Sequence, residues 1–168
     1  LLADTRGYRT VLCLENVAGQ GSTIGRRFEE LAELRSRIIS SSDQENRIGF
    51  CIDTCHAHAA GYNLSTRANA QAALEELDAI VGLKHVRCLH LNDSKGALAS
   101  RIDRHQHIGE GTIGLAGFAA VVNHPALTAL PKIMETPKGD TKGTAWDTIN
   151  VARLRSLLGS TATSFPLT

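Results

Sequence analysis

Four short apolar runs lie roughly forty residues apart in the chain, and each ends at or contains a side chain that can bind a metal ion. The runs are VLCLEN, IGFCIDT, CLHLND and PKIMET, and their potential ligands are Glu15, Asp53, His90 and Glu135. Segments with helical spacing separate the runs, which predicts alternating strands and helices and a parallel sheet. The carboxyl ends of parallel strands meet at one edge. The pattern therefore predicts an α/β fold of the barrel type with a metal site at that edge.

Composition limits the range of partners. The 168 residues are enough for one domain with a core, and the formal net charge of +1 excludes a broad basic surface. A nucleic acid would have to be bound by a local cluster of charge. The chain has neither an eighteen-residue apolar stretch nor a signal-peptide pattern, and its four cysteines form no C-x-x-C pair. We therefore expect a soluble protein without membrane contacts in a reducing intracellular compartment.

Periodicity places the elements between the ligands. The expected features are a helix through Phe28, Leu31, Leu34 and Ile38; a helix capped by Ser65 or Thr66 and ended by Gly82; a strand from Val86 to Asn92; a long functional loop from Asp93 to Gly114; a short helix through Phe118 and Val122; a strand from Leu130 to Glu135; and a last helix through Ile149, Leu154, Leu157 and Leu158. Residues 1–159 would form one metal-binding unit, and 160–168 a flexible tail.

Two short motifs supply further candidate ligands. Asp53 and His56 form a D-x-x-H unit at a strand end, where His56 in the following turn can reach a neighbouring ion. Asp103 and His105 alternate in an extended stretch, so their side chains project to the same side and can share a metal. Taken alone, each motif is better explained by a capping or ion-paired aspartate and a solvated histidine, and it is the occurrence of both motifs with the strand-end ligands that favours a metal site.

The strand residues need partners of their own. His90 lies in an otherwise buried strand, where it is either a hydrogen-bonded core histidine or a ligand. Glu15 and Glu135 would be costly to bury unless an arginine or a cation neutralised them. Mixed carboxylate and imidazole ligands suit zinc or manganese, and seven such groups predict more than one ion. Lys95 and Arg104 are candidates for phosphate contacts, although scattered surface charge is the ordinary alternative.

Five segments together resemble the endonuclease IV family of apurinic/apyrimidinic endonucleases. They are LENVAGQGSTIG, IGFCIDTCHAHAAGYNL, HLNDSK, IDRHQHIGEGTIG and PKIMETP, and they follow the family's order and spacing over nearly the whole chain. The resemblance implies a TIM barrel that holds three zinc ions and cuts DNA on the 5′ side of an abasic site. Double-stranded DNA with abasic sites would then be the partner, and DNA repair the role.

The resemblance also implies roles for individual residues. Glu15 would bridge the first and second ions, and Asp53, His90 and Glu135 would complete the second. His56, Asp103 and His105 would hold the third ion. The catalytic residues would be Glu135, which orients the nucleophile, and Glu15, and contacts with DNA are expected from Asn92, Lys95 and Arg104. The location would be the cytoplasm or nucleoid of a bacterium, or the nucleus or mitochondrion of a eukaryote.

One departure from the family pattern is large. Family members carry about four more strands ahead of the LEN motif, with two histidines for the first ion, so the chain corresponds to the second half of the barrel. We expect an incomplete first-ion site, weak or absent activity alone, and completion by the missing half or self-association at exposed sheet edges. Two alternatives stay open: a metal-dependent sugar isomerase or epimerase of the xylose isomerase type, which does not need the third ion, and a non-catalytic DNA-binding remnant.

Overall fold

The computed structural model describes residues 1–42 and 44–160 of the chain. Its elements are, in order, β1 (Leu12–Glu15), α1 (Phe28–Ser42), β2 (Ile48–Asp53), α2 (Thr54–Ala60), α3 (Arg67–Ile80), β3 (Val86–His90), β4 (Asp93–Ser94), β5 (His105–Gln106), α4 (Gly114–Val122), β6 (Lys132–Ile133), β7 (Asp140–Thr141), β8 (Thr144–Ala145) and α5 (Trp146–Ser156). Short 3₁₀ helices, Glu45–Arg47 and Leu83–His85, precede β2 and β3. Within the described ranges, every helix is too short or too polar to cross a membrane.

A four-stranded parallel sheet forms the centre of the fold. Its strand order is β1, β2, β3, β6, which is also their order along the chain, and at least one helix follows each of the four strands. Asp53 pairs with His90 across β2 and β3, and His90 pairs with Ile133 across β3 and β6. The predicted α/β fold of four βα units is therefore confirmed, and the strand ends that carry the candidate ligands lie side by side.

The helices cover one face of this sheet. Phe50, Ile52 and Leu89 point into the core that the helices share, while the residues that alternate with them lie on the opposite face. The helix α3 behaves as its sequence predicts, because the Thr66 hydroxyl accepts a hydrogen bond from Asn69 N at 3.2 Å and Gly82 follows the helix with a φ of 80°. A packed helical layer thus supports an open sheet face.

Gly117 allows α4 to pack closely against the segment that precedes α3. A Cβ on Gly117 in α4 would stand 1.9 Å from the backbone oxygen of Leu64, so no larger residue fits without movement of the backbone. Phe28 and Tyr62 stack nearby with ring centroids 3.6 Å apart, and the Tyr62 hydroxyl accepts a hydrogen bond from Phe28 N. These contacts fix the segment between α2 and α3 against the helices on either side.

Several element boundaries differ from the sequence expectation. His56 lies in the helix α2 and not in a turn, because the Asp53 carboxylate accepts a hydrogen bond from His56 N at 2.9 Å and caps that helix. The predicted strand from Leu130 to Glu135 is reduced to Lys132–Ile133, since Leu130 N bonds to Leu127 O in a turn. Leu158 lies beyond α5 and is exposed. The predicted tail, apart from Ser160, lies outside the described residues.

The long loop from Asp93 to Gly114 contains a small antiparallel pair, β4 and β5, instead of irregular structure alone. Its centre is the buried Asp93 carboxylate, which accepts hydrogen bonds from the backbone nitrogens of Ser94, Gly109, Gly111, Ile113 and Gly114. A Cβ on Gly111 would lie 2.5 Å from Asp93 Oδ1, so this approach requires glycine. The carboxylate thus supplies hydrogen-bond acceptors for backbone N–H groups that regular secondary structure leaves unpaired in this loop.

Candidate metal centre

The seven predicted ligands lie together at the carboxyl ends of the parallel strands. Donor atoms of Glu15, Asp53, His90 and Glu135 lie within 4.8 Å of one another, and the same limit holds for Asp53, His56 and His105. Asp103 joins the second group through contacts with both of its histidines. Residues up to 120 positions apart therefore converge on one pocket. Their function as metal ligands stays a prediction.

The group around His56 and His105 is a set of acceptors facing one point. Nε2 of His56 and Nε2 of His105 are 3.5 Å apart, and Asp103 Oδ1 lies 3.3 and 3.4 Å from them. The Asp53 Oδ2 atom lies 3.7 Å from His105 Nε2. Such a set of nitrogens and carboxylate oxygens requires a cation or shared protons at its centre.

The other nitrogen of each ring shows which tautomer the site favours. Nδ1 of His56 is 2.9 Å from the backbone oxygen of Asn16, and Nδ1 of His105 is 3.1 Å from that of Glu135. A carbonyl only accepts, so each Nδ1 carries a proton, and in the neutral ring each Nε2 presents a lone pair to the pocket. This arrangement of carbonyl, imidazole and open Nε2 is the one that orients histidine ligands in metal sites.

His90 is the centre of the second group. Its Nδ1 lies 3.0 Å from Glu15 Oε1, 3.2 Å from Glu135 Oε2 and 3.9 Å from Asp53 Oδ2. Asp53 is fully buried, whereas the Glu135 side chain is 48% exposed at the mouth of the pocket. The group thus combines one enclosed carboxylate with one that solvent or a substrate can reach.

Charge balance in the pocket favours a positive group. Hydrogen bonding to His56 outweighs burial and lowers the pKa of Glu15, whereas burial raises the pKa of Asp53. Burial alone would lower the pKa of His56, but its hydrogen bond to Glu15 and the charges of Asp53 and Asp103 raise that pKa to about 9. Without a metal, the carboxylates therefore retain a proton on His56. A divalent cation would replace that proton and satisfy the same oxygens.

Two buried asparagines hold the pocket in place, and the sequence motifs did not identify this role. Asn92 donates from Nδ2 to Asp53 Oδ2 at 2.6 Å and accepts from Glu135 N at 2.7 Å. Asn16 accepts from Asp53 N at 2.7 Å and donates to Asp53 O at 3.0 Å. Both side chains connect neighbouring strand ends. The only sequence signal was a polar residue directly after an apolar run, in LEN and HLN.

The residues predicted to contact DNA are placed differently from one another. Lys95 and Arg104 are exposed and adjacent, because Lys95 N bonds to Arg104 O across the β4–β5 pair at 2.9 Å. Asn92 is fully buried, and its amide is occupied by Asp53 and Glu135. A direct contact of Asn92 with DNA would require the pocket to open.

A third polar network lies behind Glu135. Asn150 of α5 is fully buried, donates to Thr136 Oγ1 at 3.0 Å and accepts from Ile108 N at 3.0 Å, and its amide is 3.2 Å from His107 Nδ1. Trp146 stacks on the His107 ring with centroids 3.7 Å apart. His107 is buried in this network, and His58 is a buried residue of α2. Helical periodicity does not identify a buried polar residue such as Asn150 at a helix interface.

Comparison with known proteins identifies the family. Residues 1–156 match the family model described as xylose isomerase-like TIM barrel. The chain is 46% identical over 157 residues to a probable endonuclease 4 of Trichlorobacter lovleyi, covering 94% of this chain and 54% of that protein. It is 48% identical over 162 residues to a probable endonuclease 4 of Chloroflexus aggregans, covering 96% and 54%.

A solved structure extends the similarity to the fold. The crystal structure of endonuclease IV from Thermus thermophilus superposes with a TM-score of 0.73 at 39% identity, over 88% of this chain and 49% of that one. The chain spans about half the length of the curated relatives that it matches. The barrel type expected from the strand and helix pattern is confirmed, and so is the resemblance carried by the five motifs. The chain belongs to the endonuclease IV family.

Proposed function

We propose that this chain carries the metal-binding half of an endonuclease that hydrolyses the DNA phosphodiester on the 5′ side of an abasic site. The observation that supports this most strongly is the convergence of carboxylate and imidazole donors from four successive strand ends. Relatives named as endonuclease 4 at 46% and 48% identity support the same reaction class. The chain would then take part in the repair of damaged DNA through residues that lie together at the carboxyl ends of the strands.

The residues present fit zinc, with manganese as the alternative. Two oriented Nε2 lone pairs next to Asp53 and Asp103 match a mixed nitrogen and oxygen shell. His56, Asp103 and His105 would hold one ion; Asp53, His90 and Glu135 another; and Glu15 would bridge to a further ion. When bound, such ions polarise the phosphate and lower the pKa of a water molecule.

The chain's own residues prepare the chemistry. Glu135 reaches the mouth of the pocket, and its carboxylate there can accept a proton from an attacking water and orient it. Asn92 fixes the backbone of Glu135 and the buried carboxylate of Asp53, and we propose that it positions these groups instead of contacting DNA. The pairing of β4 with β5 holds Lys95 and Arg104 next to each other beside the pocket. Their two cationic side chains would contact backbone phosphates of DNA.

We further propose that the chain alone is less active than its full-length relatives. In the described residues, the clusters of potential metal ligands include no histidine other than His56, His90 and His105. Glu15 would therefore share the first ion with fewer protein ligands than the family pattern requires. The partner that restores activity would be the other half of the barrel. An intracellular location is part of the same proposal, since all four cysteine thiols are free.

The two rival functions are less well supported. A sugar isomerase shares the barrel, but the convergence of Asp103 and His105 with His56 provides an additional site that proton transfer on a sugar does not use. The relatives at 46% and 48% identity are named as endonucleases. A non-catalytic DNA-binding remnant differs from a nuclease in that it binds the lesion without cutting the strand, which the following assay measures.

The test uses a labelled duplex with a single abasic-site analogue, and the matched intact duplex, in the presence of zinc. We expect slow nicking on the 5′ side of the lesion, which His105→Ala reduces at least tenfold because it removes an oriented donor. His85→Ala, which alters a histidine outside the ligand groups, should keep the parent activity. Lesion-specific binding without nicking would favour the remnant, and neither binding nor nicking, with or without the other half of the barrel, would overturn the proposal.

A further inference from the structure

A second cluster of possible ligands lies one layer below the carboxylates and imidazoles. Cys13, Cys51 and Cys88 each stand two residues before Glu15, Asp53 and His90 in their strands, so strand alternation places them on the same open face of the sheet. Cys51 pairs directly with Cys88 across β2 and β3. The three thiols therefore form a slanted row across three adjacent strands, in which Cys13 lies level with Gly49, two residues before Cys51.

An irregularity in β3 brings this row into register. Phe50 pairs with Val86 and Cys51 pairs with Cys88, which leaves Arg87 as an extra residue between them. Without this extra residue, Cys88 would point to the helical face and not to the face of Cys51. The same shift places Cys88 on the open face with His90, and it leaves the Arg87 cation close enough to Cys13 to act on its charge.

The sulfur atoms are close enough to share an ion. Sγ of Cys51, Sγ of Cys88 and a ring nitrogen of His90 all lie within 4.8 Å of one another. The Cys88 thiol also interacts with the thiols of both Cys13 and Cys51, and none of them is in a disulfide. For comparison, a tetrahedral zinc ion with zinc–sulfur bonds of about 2.3 Å holds two sulfurs roughly 3.8 Å apart, which is within the 4.8 Å limit.

The row is also accessible from the open face. Cys13 and Cys88 are half-buried, whereas Cys51 between them is 3% exposed. The nearby Ile133 of β6, which pairs with His90, is 47% exposed. An ion that entered from this face would meet two partly exposed sulfurs first and would then be enclosed by the third.

We propose that Cys13, Cys51 and Cys88, with the His90 ring as an adjoining donor, form a binding site for a soft, thiophilic cation such as Cd²⁺ or Cu⁺. Thiolate sulfur favours such soft ions over hard ones, whereas the carboxylates and imidazoles above it suit harder or borderline ions such as manganese and zinc. On binding, the thiol protons pass to solvent and metal–sulfur bonds form, with no change in oxidation state. The site does not depend on the proposed nuclease function.

The experiment is a Cd²⁺ titration of the reduced, chelator-treated chain, followed by the ultraviolet charge-transfer absorption of cadmium–thiolate bonds. An ion bound only by carboxylates and imidazoles gives no such band, so failure of the nuclease proposal would not affect this readout. We expect a saturable band in the parent chain, and X-ray absorption spectra of the complex should show sulfur in the cadmium shell. Cys51→Ser and Cys88→Ser should each reduce the apparent affinity at least tenfold, and Cys13→Ser less.

Cys55→Ser is the matched control. Cys55 is fully buried near Asp103 and His105, in a separate group of potential ligands, so its substitution should leave the cadmium–thiolate band unchanged. Far-ultraviolet circular dichroism of each variant establishes that it is folded, and Cys13→Ser alters a half-buried position that is easier to tolerate. A band that survives in a folded Cys51→Ser, Cys88→Ser double variant, or that disappears in Cys55→Ser, would overturn the proposal.

Discussion

Asp53 shows how a single residue connects local structure with the candidate site. Its Oδ1 caps α2 through His56 N, while its Oδ2 faces His90 and His105 and accepts from Asn92. The first interaction lies within the sequence motif and was readable as an aspartate at a strand end. The interactions with His90, His105 and Asn92 span between 37 and 52 residues and depend on neighbouring strands.

A prediction at the residue scale concerns His58. Its side chain is buried, and Nδ1 accepts a hydrogen bond from Leu64 N at 3.3 Å, which a protonated Nδ1 cannot do. Burial lowers the pKa of His58 in the folded protein below its ordinary value of 6.5. The unfolded chain therefore takes up the proton at a higher pH than the folded one. The free energy of unfolding should decrease as the pH falls below 6.5.

Urea unfolding at a series of pH values measures this effect. In His58→Gln the decrease between pH 7 and pH 5 should be smaller than in the parent chain, because the variant has no proton to bind at this position. At pH 8, where the histidine is neutral in both states, the difference between the two proteins reports only the change in packing. An identical pH slope in both proteins would assign the acid sensitivity to other groups.

At the scale of elements, hydrogen bonds to one buried carboxylate organise the loop that carries Asp103 and His105. The Asp93 carboxylate, at the start of this loop, accepts hydrogen bonds from backbone N–H groups near its end. The antiparallel pair of β4 and β5 lies in the same closed loop. Loop length and composition indicated a functional segment, but they did not indicate which of its polar residues organises it. The organiser is the aspartate nearest the strand end.

A prediction at this scale is that Asp93→Asn destabilises the whole loop. The amide NH₂ that replaces one carboxylate oxygen would face backbone donors and leave them unpaired. We expect the free energy of unfolding to decrease by about 3 kcal/mol, given the value of charge-assisted hydrogen bonds, and amide exchange at Gly109 and Gly111 to accelerate. Hydrogen–deuterium exchange with urea unfolding measures both.

The matched control for this loop is Asp140→Asn. Asp140 is an exposed aspartate in β7, so its substitution should change the free energy of unfolding by less than about 0.5 kcal/mol. Equal stability of Asp93→Asn and the parent chain would mean that the loop is held by its β4–β5 pair and not by the carboxylate.

At the scale of the whole molecule, the sheet has two edges and one open face. β1 and β6 are the edge strands of the described sheet, and they carry the exposed Leu12 and Ile133. Exposed strand edges with apolar side chains favour association with another chain. The same surface would accept the other half of a barrel, so association and completion of the site are linked in our proposal.

The corresponding prediction is that the purified chain self-associates in a concentration-dependent manner. Ile133→Lys places a charge on the edge strand β6 and should shift the association to higher protein concentration, at least tenfold. Ile24→Lys is the control, because Ile24 is 68% exposed in the loop after β1 and lies outside the sheet. Sedimentation velocity measures both. A parent chain that stays monomeric throughout, or an equal shift in both variants, would contradict the prediction.

Much of the architecture was predictable because its signals are local. Apolar runs and helical spacing predicted the parallel strands, α1, α3 and α4, and a cap and a glycine marked the ends of α3. The helix α2 was missed because only its capping aspartate, and no apolar stripe, marks it. The strand near Glu135 was overextended, since a turn and Pro131 shorten it.

The sequence by itself determined the identity of the candidate ligands and their delivery to one edge of a parallel sheet, because strand period and motif spacing follow from backbone geometry. Only the tertiary structure decided the partners of Asn16, Asn92, Asp93 and Asn150, and the alignment of three cysteines beneath the site. Those contacts depend on the register of strands about forty residues apart, on the closure of the loop after β3 and on the packing of α5, none of which a local pattern encodes.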